Sequence, residues 1–190
     1  MTKKKLPVLT TAIMLFALGF GGRIALHDYH NFETIMVSVF LASMLLPTSV
    51  AMTVTLSMIV LSDMYLGYFG ASKIIIFTYT GFLMVSAITT KFQQRIKGEF
   101  KPETVYKFTA SGLIFATIYD TWTNFGVFWL SYTHTPENLV LVYVLGLPFM
   151  VYHLLSSIIT FTMIGLPIYC ALSSKASDSH ILNQRKELEI

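Results

Sequence analysis

Lys91-Phe92-Gln93-Gln94-Arg95-Ile96-Lys97-Gly98-Glu99-Phe100-Lys101-Pro102, followed by Lys107, is a polar, basic stretch set between two long apolar runs, 73–90 and 108–130. Loops that stay in the cytoplasm are enriched in Lys and Arg, so this stretch marks the inner face of a membrane. Working outward, further apolar runs cover 6–22, 34–46, 48–62 and 139–173. Lys3, Lys4 and Lys5 before the first run, and Lys175, Arg185 and Lys186 after the last, fall on the same side of the alternation. Eleven of the thirteen basic residues therefore share one side, and only Arg23 and Lys73 lie on the other. An even number of crossings follows, six, with both termini cytoplasmic. The reading is an all-α, multi-pass protein of the cell membrane: a single bundle domain over 1–174 and a polar cytoplasmic tail over 175–190.

Composition agrees. Hydrophobic residues make up 54% of the 190 and charged residues 12%, against about 25% charged in a soluble domain. A crossing takes about 20 residues, so the length suffices for one bundle. The net charge of +3 sits where the positive-inside rule puts it and implies no nucleic acid. A single cysteine, Cys170, excludes an intramolecular disulfide and paired-thiol chemistry. The three N-terminal lysines and the apolar run ending Gly19-Phe20-Gly21 have the outline of a cleavable signal, but small residues there equally suit a packed first helix.

Ala17 and Gly21 lie four apart on that helix, a spacing that lets membrane helices approach closely. It fits internal packing or docking of a partner. Pro47 separates the second and third runs. The residue before a proline avoids the α region, and Thr48 or Ser49 can cap the third helix, so the two runs form a tight hairpin with its turn at the inner face. Both are short for a full span, which implies burial against neighbours or local thinning. Lys101-Pro102-Glu103-Thr104 starts the fifth helix. Beyond it, Asp120-Thr121-Trp122-Thr123-Asn124-Phe125-Gly126 interrupts the apolar pattern. The run 139–173 would reach about 52 Å as one helix, against a hydrocarbon core of about 30 Å. Placing the start of the last crossing at Pro148, with a kink at Gly165-Leu166-Pro167, leaves 120–147 as a partly re-entrant outer segment. Non-helical backbone at depth must be buried or line a cavity, so a cavity open to the outside is expected.

Asp63, Asp120 and Asn124 stand near the outer ends of apolar runs, and an ionisable group in a membrane is a functional candidate by default. Trp122, Phe125, Trp129, Tyr65, Tyr68 and Tyr29 accompany them. Structural roles compete: Asp63 capping a turn or pairing with Lys73, Asp120 bonding backbone amides at the break, and the aromatics forming an interfacial belt. His153, Ser156, Ser157 and Thr160 share one helical face and should turn inward, for interhelical hydrogen bonds or a ligand. Asp63, Asp120, Asn124 and Trp122 are expected to border one outward cavity with His153. His27, Asp28 and His30 have metal-ligand chemistry but read as a solvated loop, and no metal is assigned. Phosphate-binding motifs are absent, and Ser72 and Ser111 lack a base and orienting partner, so the chain reads as neither an enzyme nor an ATPase and needs no cofactor.

Three stretches resemble the substrate-binding S components of energy-coupling factor transporters: Asn31-Phe32, Ser62-Asp63-Met64-Tyr65-Leu66-Gly67, and Asn124-Phe125-Gly126-Val127-Phe128-Trp129 followed by Leu147-Pro148-Phe149. The resemblance extends over most of the chain. It implies a six-helix bundle that binds a vitamin or similar micronutrient on its outer side, through the loops after helices one, three and five. The implied substrate-binding set is Asn31, Asp63, Tyr65, Asp120, Trp122, Asn124, Trp129 and His153. It also implies a membrane coupling subunit and two ATPases as partners, with the bundle toppling in the membrane to deliver its ligand. S components commonly carry two alanines four apart for docking; here Ala12 and Ala17 are five apart and the small pair is Ala17 and Gly21. The alternative is a non-transporting scaffold for the cell envelope, similar in size and topology to rod-shape morphogenesis proteins.

Overall fold

A computed structural model describes residues 8–29, 34–92 and 100–173. Among them the regular structure is entirely helical: α1 (Val8–Ala25), α2 (Ile35–Leu45), α3 (Thr48–Leu66), α4 (Ile75–Phe92), α5 (Pro102–Ser131) and α6 (Pro136–Ile159). α6 runs on through a π-helical stretch, Thr160–Gly165, and then to Ser173. Three of these helices, α1, α3 and the continuous Pro136–Ser173, are long and apolar enough to cross a membrane. Their length and composition make this a helical membrane protein.

α2 is the axis of the bundle. Ten of its residues, Ile35 to Met44, are buried, and it touches α1, α3, α4, α5 and the π-helical stretch. A helix apolar on every side belongs in the middle of a structure. Eleven residues rise only about 16 Å, and of the two expectations for so short a run, burial against neighbours is the one found. Phe40 meets the rings of Phe108 and Phe161 with centroids 5.2 and 5.1 Å away. Ser43 and Ser86 share a buried hydrogen bond of 2.7 Å between α2 and α4.

The hairpin at Pro47 forms as expected. α2 closes at Leu45, Leu46 is extended, and α3 starts at Thr48. The cap differs: Pro47 itself takes the N-cap position and no side chain caps the helix. Pro47 leaves the helical region through its ψ of 143°, and Thr48 is the first helical residue.

Two expectations are corrected. α5 is unbroken through 120–126. Its polar residues are spent sideways instead of breaking the helix: the Thr123 hydroxyl donates back to the Tyr119 carbonyl at 3.0 Å, and Gly126 packs under the ring of Phe77. Nor is 120–147 re-entrant, because α6 starts at Pro136 and passes through Pro148. Thr135 sits at the N-cap and accepts from the Asn138 N–H, with Pro136 in the first turn, where a missing donor costs nothing. Pro148 faces outward from the helix. Just before Pro167, where a kink was expected, the helix widens into the π-helical stretch, closed by a Leu166 N–H bonded to the Phe161 carbonyl.

α5 and α6 therefore form one long antiparallel hairpin joined by residues 132–135. Polar contacts mark their seam at Asn124 against Gly146, Asp120 with His153, and Thr109 with Thr162 at 2.8 Å.

Candidate functional site

The seam carries a short, buried polar contact between α5 and α6. His153 Nδ1 lies 2.6 Å from Asp120 Oδ1, and both residues are buried. The Tyr119 ring meets the imidazole edge-on at 5.9 Å. Asp120 Oδ2 is buried and has no hydrogen-bond partner. One oxygen is thus occupied and the other keeps its acceptor capacity, an expensive arrangement away from water. The stripe of His153, Ser156, Ser157 and Thr160 turns inward as expected, every member buried.

One turn beyond Asp120, the Asn124 amide fills the space over Gly146. A β-carbon there would lie 2.6 Å from both Nδ2 and Oδ1 of Asn124. From this contact a groove of about 670 Å³ opens along the hairpin, walled by Phe125, Phe128, Tyr143 and Met150 with Thr117 and Thr121. A second groove of about 490 Å³ adjoins it toward α4, sharing Thr117, Thr121, Phe125 and Tyr143 and adding Trp122 and Met84. The Trp122 indole N–H donates to Thr80 Oγ1 at 2.9 Å, and the Tyr143 hydroxyl donates to the Thr121 carbonyl at 2.9 Å. Both rings are held by polar tethers while their faces wall the space. Trp122, Phe125 and Trp129 stack successively at centroid distances of 6.0 Å, and His134 stacks on Trp129 at 4.4 Å.

The remaining sequence candidates divide. Asp63 pairs with Arg23, not with Lys73: Arg23 Nη2 lies 2.8 Å from Asp63 Oδ1, an ion pair whose alignment falls short of a hydrogen bond. The Tyr79 hydroxyl donates to Asp63 Oδ2 at 3.0 Å, and Arg23 Nη1 donates to Ser62 Oγ at 2.8 Å. This network ties α1, α3 and α4 together. Tyr65 is exposed and meets Phe20 edge-on. Trp129 is half exposed at the end of the aromatic stack. Asn124 and Trp122 line these grooves, whereas Asp63, Asp120 and His153, expected to border one cavity with them, do not, nor do Tyr65 and Trp129. Asn31 and His30 lie outside the described residues. His27 bonds Tyr68 at 2.8 Å through Nε2, and among the described residues no three His, Cys, Asp or Glu side chains cluster for a metal.

Tyr143 and Gly146 escaped sequence reasoning because they fall in the stretch expected to be re-entrant. The Thr135-Pro136-Glu137 start signal would have placed both on a helix facing Asn124. On α1, Gly19 packs against Met58 and Ser38, and Gly22 against Thr34. Ala17 and Gly21 face outward instead, and nothing lies within 4 Å of where a Gly21 β-carbon would stand.

Residues 2–178 match a family described as a family of unknown function, DUF6580. The chain belongs to that family. No curated protein and no solved structure matches it. A DUF6580 chain thus carries a paired, aromatic-walled groove beside a buried Asp–His contact.

Proposed function

We propose that this DUF6580 protein is a membrane-embedded substrate-binding subunit of the S-component type, which captures a vitamin or similar small nutrient from outside the cell. The carrying observation is the pair of adjoining grooves at α4, α5 and α6, walled by Trp122, Phe125 and Tyr143 with a few polar groups. Small-molecule sites span about 300–1,000 Å³ and combine apolar walls with few polar groups in this way. The basic residues argue for six crossings with cytoplasmic termini, which puts both grooves in the outer half. Asn124, Thr117 and Thr121 orient the ligand, and Trp122 and Phe125 stack on it. The outward Ala17–Gly21 face supports docking of a coupling membrane subunit, whose two ATPases would drive delivery.

Mass spectrometry of small molecules released from the mildly purified protein tests this reading. A retained heterocycle lost in Trp122→Ala supports it. An empty chain that gains no thermal stability from a panel of vitamins counts against it. Orientation is tested separately by labelling single cysteines placed at 135 and 98 after replacement of Cys170. External reagent should reach 135 and spare 98.

A second reading, a non-transporting scaffold for envelope or shape morphogenesis, draws on the outer half of α6. Val140, Val144, Leu145 and Val151 are exposed there and would suit a partner helix as well as lipid. Pull-down of envelope proteins together with an empty groove would favour it.

A further inference from the structure

A third groove, about 430 Å³, lies along the first half of α5, between α2, α4 and α5, and meets the second nutrient groove at Ile118. Its floor is core: Phe40 and Phe115 are buried. Its sides are Ile88 of α4 and Ile114 of α5, and Tyr106 and Lys107 stand at its rim. We propose that this groove holds one acyl chain of an anionic phospholipid, with the headgroup phosphate on Lys107 and the Tyr106 hydroxyl.

The choice of occupant rests on charge and shape together. Lys107 lines the groove itself, whereas no Lys or Arg lines either nutrient groove. Lys91 in the last turn of α4 and Lys101 just before α5 are both exposed, on the same ends of those helices as the groove residues Thr89 and Tyr106. Basic pockets between membrane helices on the cytoplasmic side recognise anionic headgroups in this manner. A neutral lipid would draw nothing from the cation that lines the groove, and a free anion would leave the apolar floor unused. Lys107 is bonded to Glu103 one turn earlier, at 2.6 Å. The Glu103 side chain is 74% exposed, so its carboxylate can turn to water as a phosphate arrives. Tyr106 is 74% exposed, and its amphipathic ring suits the headgroup level. The inference rests on the chain being in a membrane and is independent of any nutrient bound in the other grooves.

The test is native mass spectrometry of the full chain released from bilayer nanodiscs of equimolar phosphatidylglycerol and phosphatidylcholine with matched tails. The wild type should retain phosphatidylglycerol about fivefold over phosphatidylcholine, the scale of one lysine beside an anionic headgroup. Lys107→Gln should bring the ratio to parity, and Glu103→Gln should keep or raise it. Ala110→Trp, which fills the channel, should lose both lipids; Ile114→Trp serves if that variant does not fold. Parity in the wild type overturns the proposal, as does an undiminished preference in Lys107→Gln. Displacement of the lipid by glycerol phosphate at matched concentration also overturns it, since the groove would then contribute nothing. Trp122→Ala should leave the ratio unchanged even where it empties the nutrient site, which separates this outcome from failure of the nutrient reading.

Discussion

Asp63 and Asp120 are both buried carboxylates on long apolar helices, yet the fold surrounds them differently. Asp63 faces Arg23 and Tyr79, and its backbone carbonyl receives the N–H groups of Tyr68 and Phe69 where α3 ends. Three helices and a turn converge on it. Asp120 meets His153 across two helices and keeps one oxygen without a hydrogen bond. The first arrangement is a clamp, and the second leaves acceptor capacity unspent beside a groove. A buried charge is tolerated in proportion to the partners that meet it, so the two sites should respond differently to the same kind of substitution.

The largest effect is expected at the clamp. Arg23→Ala leaves Asp63 buried without its cation and should cost about 3–5 kcal/mol of stability, read as a lowered unfolding midpoint in detergent. Adding Asp63→Asn should recover much of that loss. The seam ranks next: His153→Ala strands a buried acceptor and should cost about 1–3 kcal/mol. Asp120→Asn keeps an acceptor for the ring and should cost less than His153→Ala in the same melt. If Asp120→Asn destabilises as much as Arg23→Ala, the contrast between clamp and seam is lost.

Gly146→Ala sharpens the seam further. Its methyl would meet the Asn124 amide, at a cost of about 1–3 kcal/mol for overpacking, and Asn124→Ala in the same chain should relieve it. The smallest effect belongs to Gly21→Ala. With open space around that position, stability should change by no more than about 0.5 kcal/mol or rise through better helix propensity. Gly22→Ala, facing Thr34, should destabilise clearly more in a paired melting experiment.

Much of the architecture could be read from periodicity and charge. The runs at 34–46 and 48–62, the turn at Pro47 and the start at Pro102 all match helices. What failed was the treatment of polar residues inside α5 as a break. In a membrane helix, Asp120 and Asn124 are marks of a facing partner as much as of an interruption, and only the position of α6 distinguishes the two. The inward turn of His153 was expected, but its contact with Asp120 joins residues 33 apart, and no local pattern specifies such a pairing. Arg23 is similar: the alternation of charge set it apart from the other basic residues, while the aspartate that meets it lies two helices away.

The π-helical stretch at Thr160–Gly165 changes the phase of everything after it. Each π turn holds roughly one residue more than an α turn, so the stretch behaves like an insertion absorbed without a loop. Beyond it, Tyr169 comes to rest on Phe108 at 5.1 Å, and Gly165 slides over Val37, whose Cγ2 would lie 2.6 Å from a β-carbon there. Removing one residue between 160 and 165 would let the ordinary helix close up, and the last two turns would rotate by about 100°. Tyr169 would then swing off the core while the helix stayed continuous to Ser173. The contact of the last described helical turns with the core thus depends on residue count as well as residue identity, and in this chain a one-residue deletion there would do more harm than most substitutions.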